Sequence, residues 1–273
     1  SRILDINTLE PAGEIHNQLA ELINKKTGMI LTTGPGNSGK TTTLYAILNT
    51  IMRKNKHVIT VEEQIESIID NCIQLEVNPL FHSSFTLLQT AITTNPDVIM
   101  IGKIKDKETA QLSVQAALKN SMVLTSLSQG ITAHVLKKLI DFQIDPCLIN
   151  EALLSVINHR LVRQICQSCK YEYKTLQQDF SFNKKIPQDT IFFKGAGCHQ
   201  CSQVGYRGEL PLFEILVPGA KLKQALLDKK QINNLQEIAE KEGMKTLFDD
   251  ALYKAAKGYT SLIEIIRVLG NTL

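Results

Sequence analysis

Two groups of residues in this chain have types and spacing that could do chemistry. The first is Gly34-Pro35-Gly36-Asn37-Ser38-Gly39-Lys40-Thr41, followed by Thr42, which fits the pattern GxxxxGK[ST]. Its glycines let successive backbone N–H groups turn toward one anion, and a helix starting at its end adds partial positive charge. Lys40 would reach the β- and γ-phosphates of a nucleoside triphosphate, and the Thr41 hydroxyl would ligate Mg²⁺. The second group is two CxxC pairs, Cys166 with Cys169 and Cys198 with Cys201, with 28 residues between them (170–197). Four thiolates from two tight turns suit tetrahedral Zn²⁺, and the complete sulfur set makes such a metal architectural rather than catalytic. His199, inside the second pair, reads as a bystander, and His159 as a surface residue on a helix. Cys72 and Cys147 stand alone and read as small buried hydrophobes.

A phosphate loop works between a strand and a helix, and the flanking sequence supplies both. Residues 29–33 read as a short buried strand. A helix over about 39–54 follows, with Leu44, Ile47, Leu48 and Ile51 on one face. Further strands are expected at 57–61, 73–77, 97–101 and 122–125, and helices at 11–24, 85–93 and 107–119. This alternation implies an α/β chain with a mainly parallel sheet covered on both faces. Beyond Pro146, a helix at 146–158 leads to the cysteine region, and the lysine-rich stretch 171–185 reads as an exposed loop. A strand at 210–217 and helices at 222–227, 235–241, 246–257 and 261–269 complete the chain. The expected divisions are a linker and leading helix (1–27), a nucleotide-binding core (28–160), a tetracysteine module with its adjoining strand (161–217) and a helical C-terminal region (218–273).

Composition narrows the function classes. The 273 residues are 43% hydrophobic and 21% charged, which excludes disorder and collagen-like repeats. Thirty basic residues against 27 acidic ones leave +3, too little to argue for a nucleic-acid partner. Arg160, Arg163 and Lys170 offer slight support for a zinc-ribbon reader of nucleic acid, but aromatic residues are 5% and form no stripe with them. No apolar run approaches the roughly 18 residues of a membrane helix. The opening stretch carries acids and no apolar core, so it does not read as a signal peptide.

The segments GPGNSGKTTTLYA, ITVEEQIE, PDVIMIGKIKDKETA, the two CxxC pairs and VGYRGELPLFEIL occur in that order. They resemble the type II secretion and type IV pilus assembly ATPases from about residue 28 to the C-terminus. The resemblance implies a RecA-like P-loop core that binds ATP and Mg²⁺ and assembles as a hexameric ring, as a homo-oligomer or with a paralogous ATPase. It implies work at the cytoplasmic face of the inner membrane, peripheral to it, against an inner-membrane platform protein. It also implies an upstream domain that supplies arginines to the nucleotide site, so that Ser1 is expected to mark a cut through a linker. The zinc module is tied by the resemblance to assembly and coupling with the membrane partner.

The same comparison exposes departures around the γ-phosphate. The family's strand-end glutamate is Lys103, and the arginine that follows it is Lys105. Its acidic motif keeps Thr60, Glu62 and Glu66 but has Glu63 and Gln64 in place of Asp-Pro. Gln89 and Thr93 stand where arginines are usual, and Ser121 and Ser128 where histidines are usual. An ammonium cannot ligate Mg²⁺ or take a proton from water at neutral pH, although it can sit against phosphate oxygens. Glu62 and Glu63 are the remaining catalytic candidates, with Glu62 either polarising a water or standing as a solvated strand-end carboxylate. Three readings stay open: an active motor, a nucleotide-binding subunit with little or no hydrolysis, and a structural remnant. The second is the expected one.

Overall fold

The computed structural model describes residues 6, 14–52, 56–174, 190–228 and 234–270. The chain opens with helix α1 (Glu14–Ile23), strand β1 (Gly28–Thr33) and helix α2 (Lys40–Met52). It continues through β2 (Val58–Glu62), β3 (Ile73–Glu76), α3 (Ser84–Thr93), β4 (Val98–Ile101), α4 (Lys107–Lys119) and β5 (Met122–Leu127). Helices α5 (Thr132–Asp141) and α6 (Pro146–Ala152) then lead into the long strand β6 (Leu153–Ile165). The ribbon strands β7 (Lys170–Lys174) and β8 (Ile191–Gly195) and the long strand β9 (Tyr206–Leu216) come next. Helices α7 (Ala220–Leu227), α8 (Leu235–Lys241), α9 (Leu247–Ala256) and α10 (Leu262–Leu269) finish it.

Seven strands form one sheet in the order β3-β2-β4-β5-β1-β6-β9. The pairings β1 with β5 and β6, β2 with β3 and β4, and β4 with β5 are all parallel. Every residue of β1, β2, β4 and β5 is buried, as expected of apolar runs covered on both faces. Strand β3 lies at the sheet edge and is half exposed, matching its alternating sequence. All four apolar residues of the predicted α2 face are buried, and Thr43, Tyr45 and Ala46 are buried with them. The fold is the expected one: a mostly parallel α/β core of RecA-like type, C-terminal helices and a four-cysteine cluster.

Several local expectations need correcting. The helix predicted over 146–158 ends at Ala152, and residues 153–158 are strand. An apolar run cannot be assigned by periodicity alone, and here the free edge of β1 decides it. Leu31, Thr32 and Thr33 pair with Val156, Ile157 and Asn158, where two β-branched side chains are buried. His159 therefore sits fully buried on β6 rather than on a helix surface. The expected loop at 171–185 begins as β7, and residues 175–185 lie outside the described residues, as do 11–13 of the leading helix and 53–54 of the helix after the loop. Helix α5 had no sequence prediction, because Ile131 before it offers no side-chain cap. Cys147 is exposed at the start of α6, and Cys72 is half-buried with its thiol directed at the Val58 carbonyl (3.7 Å).

The chain divides into two compact units, Ser1–His159 with Ile215–Met244, and Arg160–Glu214 with Lys245–Leu273. The core of the first gathers residues such as Leu31, Ile101, Val123, Leu136, Leu222 and Leu226. That of the second gathers Val162, Phe192, Leu212, Phe248, Leu262 and Ile265. Charged side chains also hold the second unit together. Asp250 accepts from the Phe213 N–H (2.8 Å) and from buried Lys254 (2.9 Å), which donates onward to the Pro211 carbonyl. Glu264, wholly buried, accepts from the Arg163 backbone and guanidinium and from Arg267. None of the described helices is long and apolar enough to cross a membrane.

Burial of Glu264 opposes its charge, yet the Arg267 and Arg163 guanidinium groups and the Arg163 N–H outweigh it and hold the carboxyl down to about 2, from an ordinary 4.5. A depressed carboxyl stabilises the fold above its unfolded value and loses that contribution as pH falls through the folded value. Glu264→Gln should therefore flatten the loss of stability between pH 4.5 and about 2. Both arginines are more than a third exposed, so the cost at neutral pH should be held to about 1–3 kcal/mol by urea unfolding.

Candidate functional site

The first site is built at the carboxyl edge of the parallel sheet, where α/β folds bind ligands. Strand β1 ends at Thr33 and the chain turns at once through residues 34–39 into α2. Gly34 has φ +140°, and a Cβ there would lie 2.6 Å from the His159 carbonyl oxygen and 2.7 Å from Ser38 Oγ. Glycine is required twice, for backbone angle and for space. Asn37 (φ 56°) and Gly39 (φ 93°) complete the left-handed turns. Pro35, Gly36 and Asn37 are exposed at the tip, Ser38 is buried beneath it, Lys40 and Thr41 are half-buried, and Thr42 is exposed. Lys40 Nζ donates to the carbonyls of Gly34 (3.1 Å) and Pro35 and to Ser38 Oγ (3.4 Å), so its ammonium is held over the loop's own mouth.

Neighbouring strand ends are laced to this loop. The Thr33 hydroxyl donates to the Gln129 carbonyl (2.9 Å) and accepts its N–H (3.1 Å), fixing the segment after β5 that carries exposed Ser128. Asn158 Nδ2 donates to the Gly130 carbonyl (3.3 Å) on the same segment. After β4, Gly102 N–H donates to the Val61 carbonyl (2.9 Å), Ser126 Oγ donates to the Gly102 carbonyl (2.6 Å), and Ile104 N–H donates to the Ser126 carbonyl (3.0 Å). Lys103 is thereby held between two anchored residues. The fold thus brings the Gly34–Thr42 loop, Glu62, Glu63, Lys103 and Ser128 to one edge. Ser121 is not among them, because its hydroxyl donates to the Pro96 carbonyl (2.8 Å) at the opposite edge.

Glu62 is not a solvated strand-end carboxylate. It is 2% exposed, and its two oxygens accept from three side chains: Tyr45 of α2, Thr60 (2.5 Å) and Gln74 of β3 (3.2 Å). Burial, then the adjoining Glu62 carboxylate, push the Tyr45 hydroxyl well above its ordinary value, which keeps it a donor. That hydroxyl also accepts the Glu66 N–H (3.3 Å). Gln74 meanwhile ties down the segment beyond β2, accepting the Ile69 N–H (2.8 Å) and donating to the Ser67 carbonyl (3.1 Å). Glu62 is therefore the hub joining the loop helix to the sheet edge. Thr60 was findable from sequence, since residues two apart on a strand share a face. Tyr45 and Gln74 were not, because they meet Glu62 only through packing of α2 and β3. Glu63 is exposed and pairs with Lys105 (2.5 Å).

The second site lies in the other unit. Ligand sulfurs of Cys166, Cys169, Cys198 and Cys201 all fall within 4.8 Å of one another. Three pairs, Cys166–Cys198, Cys169–Cys201 and Cys198–Cys201, stand at 3.8 Å. The Cys198 and Gly205 N–H groups both point at the Cys201 sulfur, each at 3.2 Å. Burial works against a charge on Cys201, but those two N–H groups and the neighbouring thiols outweigh it and hold the thiol down to about 6. Cys169 is pushed up to about 12, by burial first and then by the thiols beside it. The turns that converge here need glycine at close approach: a Cβ on Gly205 would meet the Gly195 carbonyl oxygen at 2.7 Å. The four residues form a cluster able to hold a metal ion, and all its donors are protein sulfur.

Residues 1–267 match the family model described as "Type II/IV secretion system protein". The chain is 35% identical to the type IV pilus assembly ATPase PilB of Thermus thermophilus over 97% of this chain and 30% of that protein. It is 36% identical to the type II secretion system ATPase E of Vibrio cholerae over 97% of this chain and 53% of that protein. The chain thus spans about 30% of one of these relatives and about half of the other. Among solved structures, the pilus retraction motor PilT with bound ADP superposes with a TM-score of 0.71 at 22% identity, covering 98% of this chain and 67% of that one. The Legionella pneumophila ATPase DotB gives 0.71 at 19%, covering 96% and 64%. At such identities the structures speak to the fold alone.

The hub makes a direct prediction. Tyr45→Phe removes one of the three donors to a buried carboxylate and should destabilise the chain by about 1–3 kcal/mol in urea unfolding.

Proposed function

The chain belongs to the Type II/IV secretion system protein family, and from that premise we propose that it is the ATP-binding part of a type IV pilus or type II secretion assembly motor with little or no hydrolysis of its own. One observation carries this reading. The phosphate loop is complete and correctly flanked, while the buried acid beside it has both oxygens occupied by protein donors. Backbone N–H groups of residues 36–41 and the Lys40 ammonium would hold the phosphates, and the Thr41 hydroxyl lies at the helix start beside them. Activation of a water needs a proton acceptor, and a carboxylate already accepting three hydrogen bonds is a poor one. Assistance of that kind is worth about 10²–10⁴ in rate. Lys103 and Ser128 supply no acid or imidazole in its place.

The four-sulfur cluster supports bound zinc. A Zn–S bond of about 2.3 Å sets a tetrahedral S···S edge of about 3.8 Å, which the three closest sulfur pairs match. Zinc there would join the two turns and stabilise the second unit, with no open position for chemistry. The wider reading is a hexameric ring, of this chain alone or with a paralogous ATPase, peripheral to the cytoplasmic face of the inner membrane and bearing on a platform protein there. No nucleic-acid partner is part of it.

Two measurements test these assignments. ATP affinity and steady-state turnover, taken on the same preparation, should give binding that Lys40→Ala abolishes and turnover far below the about 1 s⁻¹ at the lower end of ordinary enzymes. Turnover at or above that rate would sink the reading of impaired hydrolysis. Elemental analysis should find a single zinc per chain, and Cys169→Ser should lose it and lower the melting temperature of the protein.

A further inference from the structure

Mg²⁺ beside a triphosphate is held by phosphate oxygens, waters and one or two carboxylates. The carboxylates near this edge are committed elsewhere. Glu62 is buried and already accepts three hydrogen bonds, from Tyr45, Thr60 and Gln74, and Glu63 is paired with Lys105. Asp106 caps α4 by accepting the Thr109 N–H (2.7 Å). Glu66 is exposed, and its backbone is pinned to Tyr45, more than one helical turn beyond Lys40. The donor set therefore does not fit a carboxylate-anchored Mg²⁺, although the Thr41 hydroxyl remains.

A cation stands at the same edge instead. Lys103 is half-buried, and among the described residues it makes neither ion pair nor hydrogen bond. Its backbone is fixed on both sides, through Gly102 to Val61 and Ser126 and through Ile104 to Ser126. Register places it near the loop: Ile101 pairs with Thr125, and Thr125 with Leu31, two residues before the end of β1. Two strand spacings, about 9.5 Å, separate the ends of β4 and β1, and the four-carbon lysine stem covers much of that gap. Lys105 is drawn off by Glu63, so it does not compete for the same anion.

We propose that Lys103 meets the terminal phosphates of a bound nucleoside triphosphate and takes over part of the metal's charge, so that ATP binds almost independently of Mg²⁺. This rests on the nucleotide-binding reading above. A lysine gives point charge without the coordination geometry that organises an in-line attack, so it favours retention of the intact nucleotide over its hydrolysis.

Calorimetric titration of ATP into wild type, Lys103→Ala, Lys103→Gln and Lys103→Glu, each in Mg²⁺ and in EDTA, tests the inference, with circular dichroism to confirm that each variant is folded. Wild-type affinity should change less than about threefold on removing Mg²⁺. The Ala and Gln variants should bind about tenfold or more weakly in EDTA and recover on adding Mg²⁺. Lys103→Glu should need the metal most. A wild-type affinity that rises more than about tenfold with Mg²⁺, together with unchanged binding by Lys103→Ala in EDTA, would overturn this inference and leave nucleotide binding standing. No ATP binding by wild type in either buffer would overturn both.

Discussion

Strand β1 lies between β5 and β6 with all six residues buried, and the chain can leave it only by turning beneath the His159 carbonyl. That constraint sets the rest of the nucleotide site. It demands Gly34, and α2 starts directly after the turn at Lys40, where the helix dipole adds partial positive charge. The other strand ends then have to meet this turn. Thr33, Ser126 and Asn158 do so by donating to backbone carbonyls. A buried parallel sheet leaves its chemistry to such an edge, because its faces are covered by helices.

Charge is distributed over that edge in an uneven way. The acids are used for structure, with Glu62 as a hub between α2, β2 and β3 and Glu63 as half of an ion pair. Of the basic residues, Lys40 belongs to the loop and Lys105 to Glu63. Lys103 stands at the same edge and, among the described residues, makes neither ion pair nor hydrogen bond.

The second unit solves a different problem. Its core is modest, and ion pairs add cross-links that apolar packing alone does not provide, while four sulfurs gather in a cluster able to hold a metal ion. The Asp250–Lys254 pair secures β9 to α9, and the Glu264–Arg163–Arg267 group ties α10 to β6. Burial holds the Asp250 carboxyl above its ordinary value even beside Lys254, whereas two guanidinium groups hold that of Glu264 far below. The number and geometry of donors, rather than depth alone, separates the two.

By itself the sequence determined the elements whose patterns are local. The glycine spacing of residues 34–39, the CxxC pairs and the continuous apolar strands were legible because turn geometry and burial on two faces constrain residue type position by position. The departures at Lys103, Lys105 and Ser128 were legible against a family pattern for the same reason. Tertiary structure decided what those residues meet. Residues 153–158 became strand rather than helix because β1 had an edge to pair, and His159 was buried as a consequence. Glu62 was buried and made a hub by Tyr45 and Gln74, which are 17 and 12 residues away in the chain, rather than left as a solvated strand-end carboxylate. Hydrogen bonds of that kind depend on how a helix and an edge strand pack against β2, and no spacing rule along the chain records them.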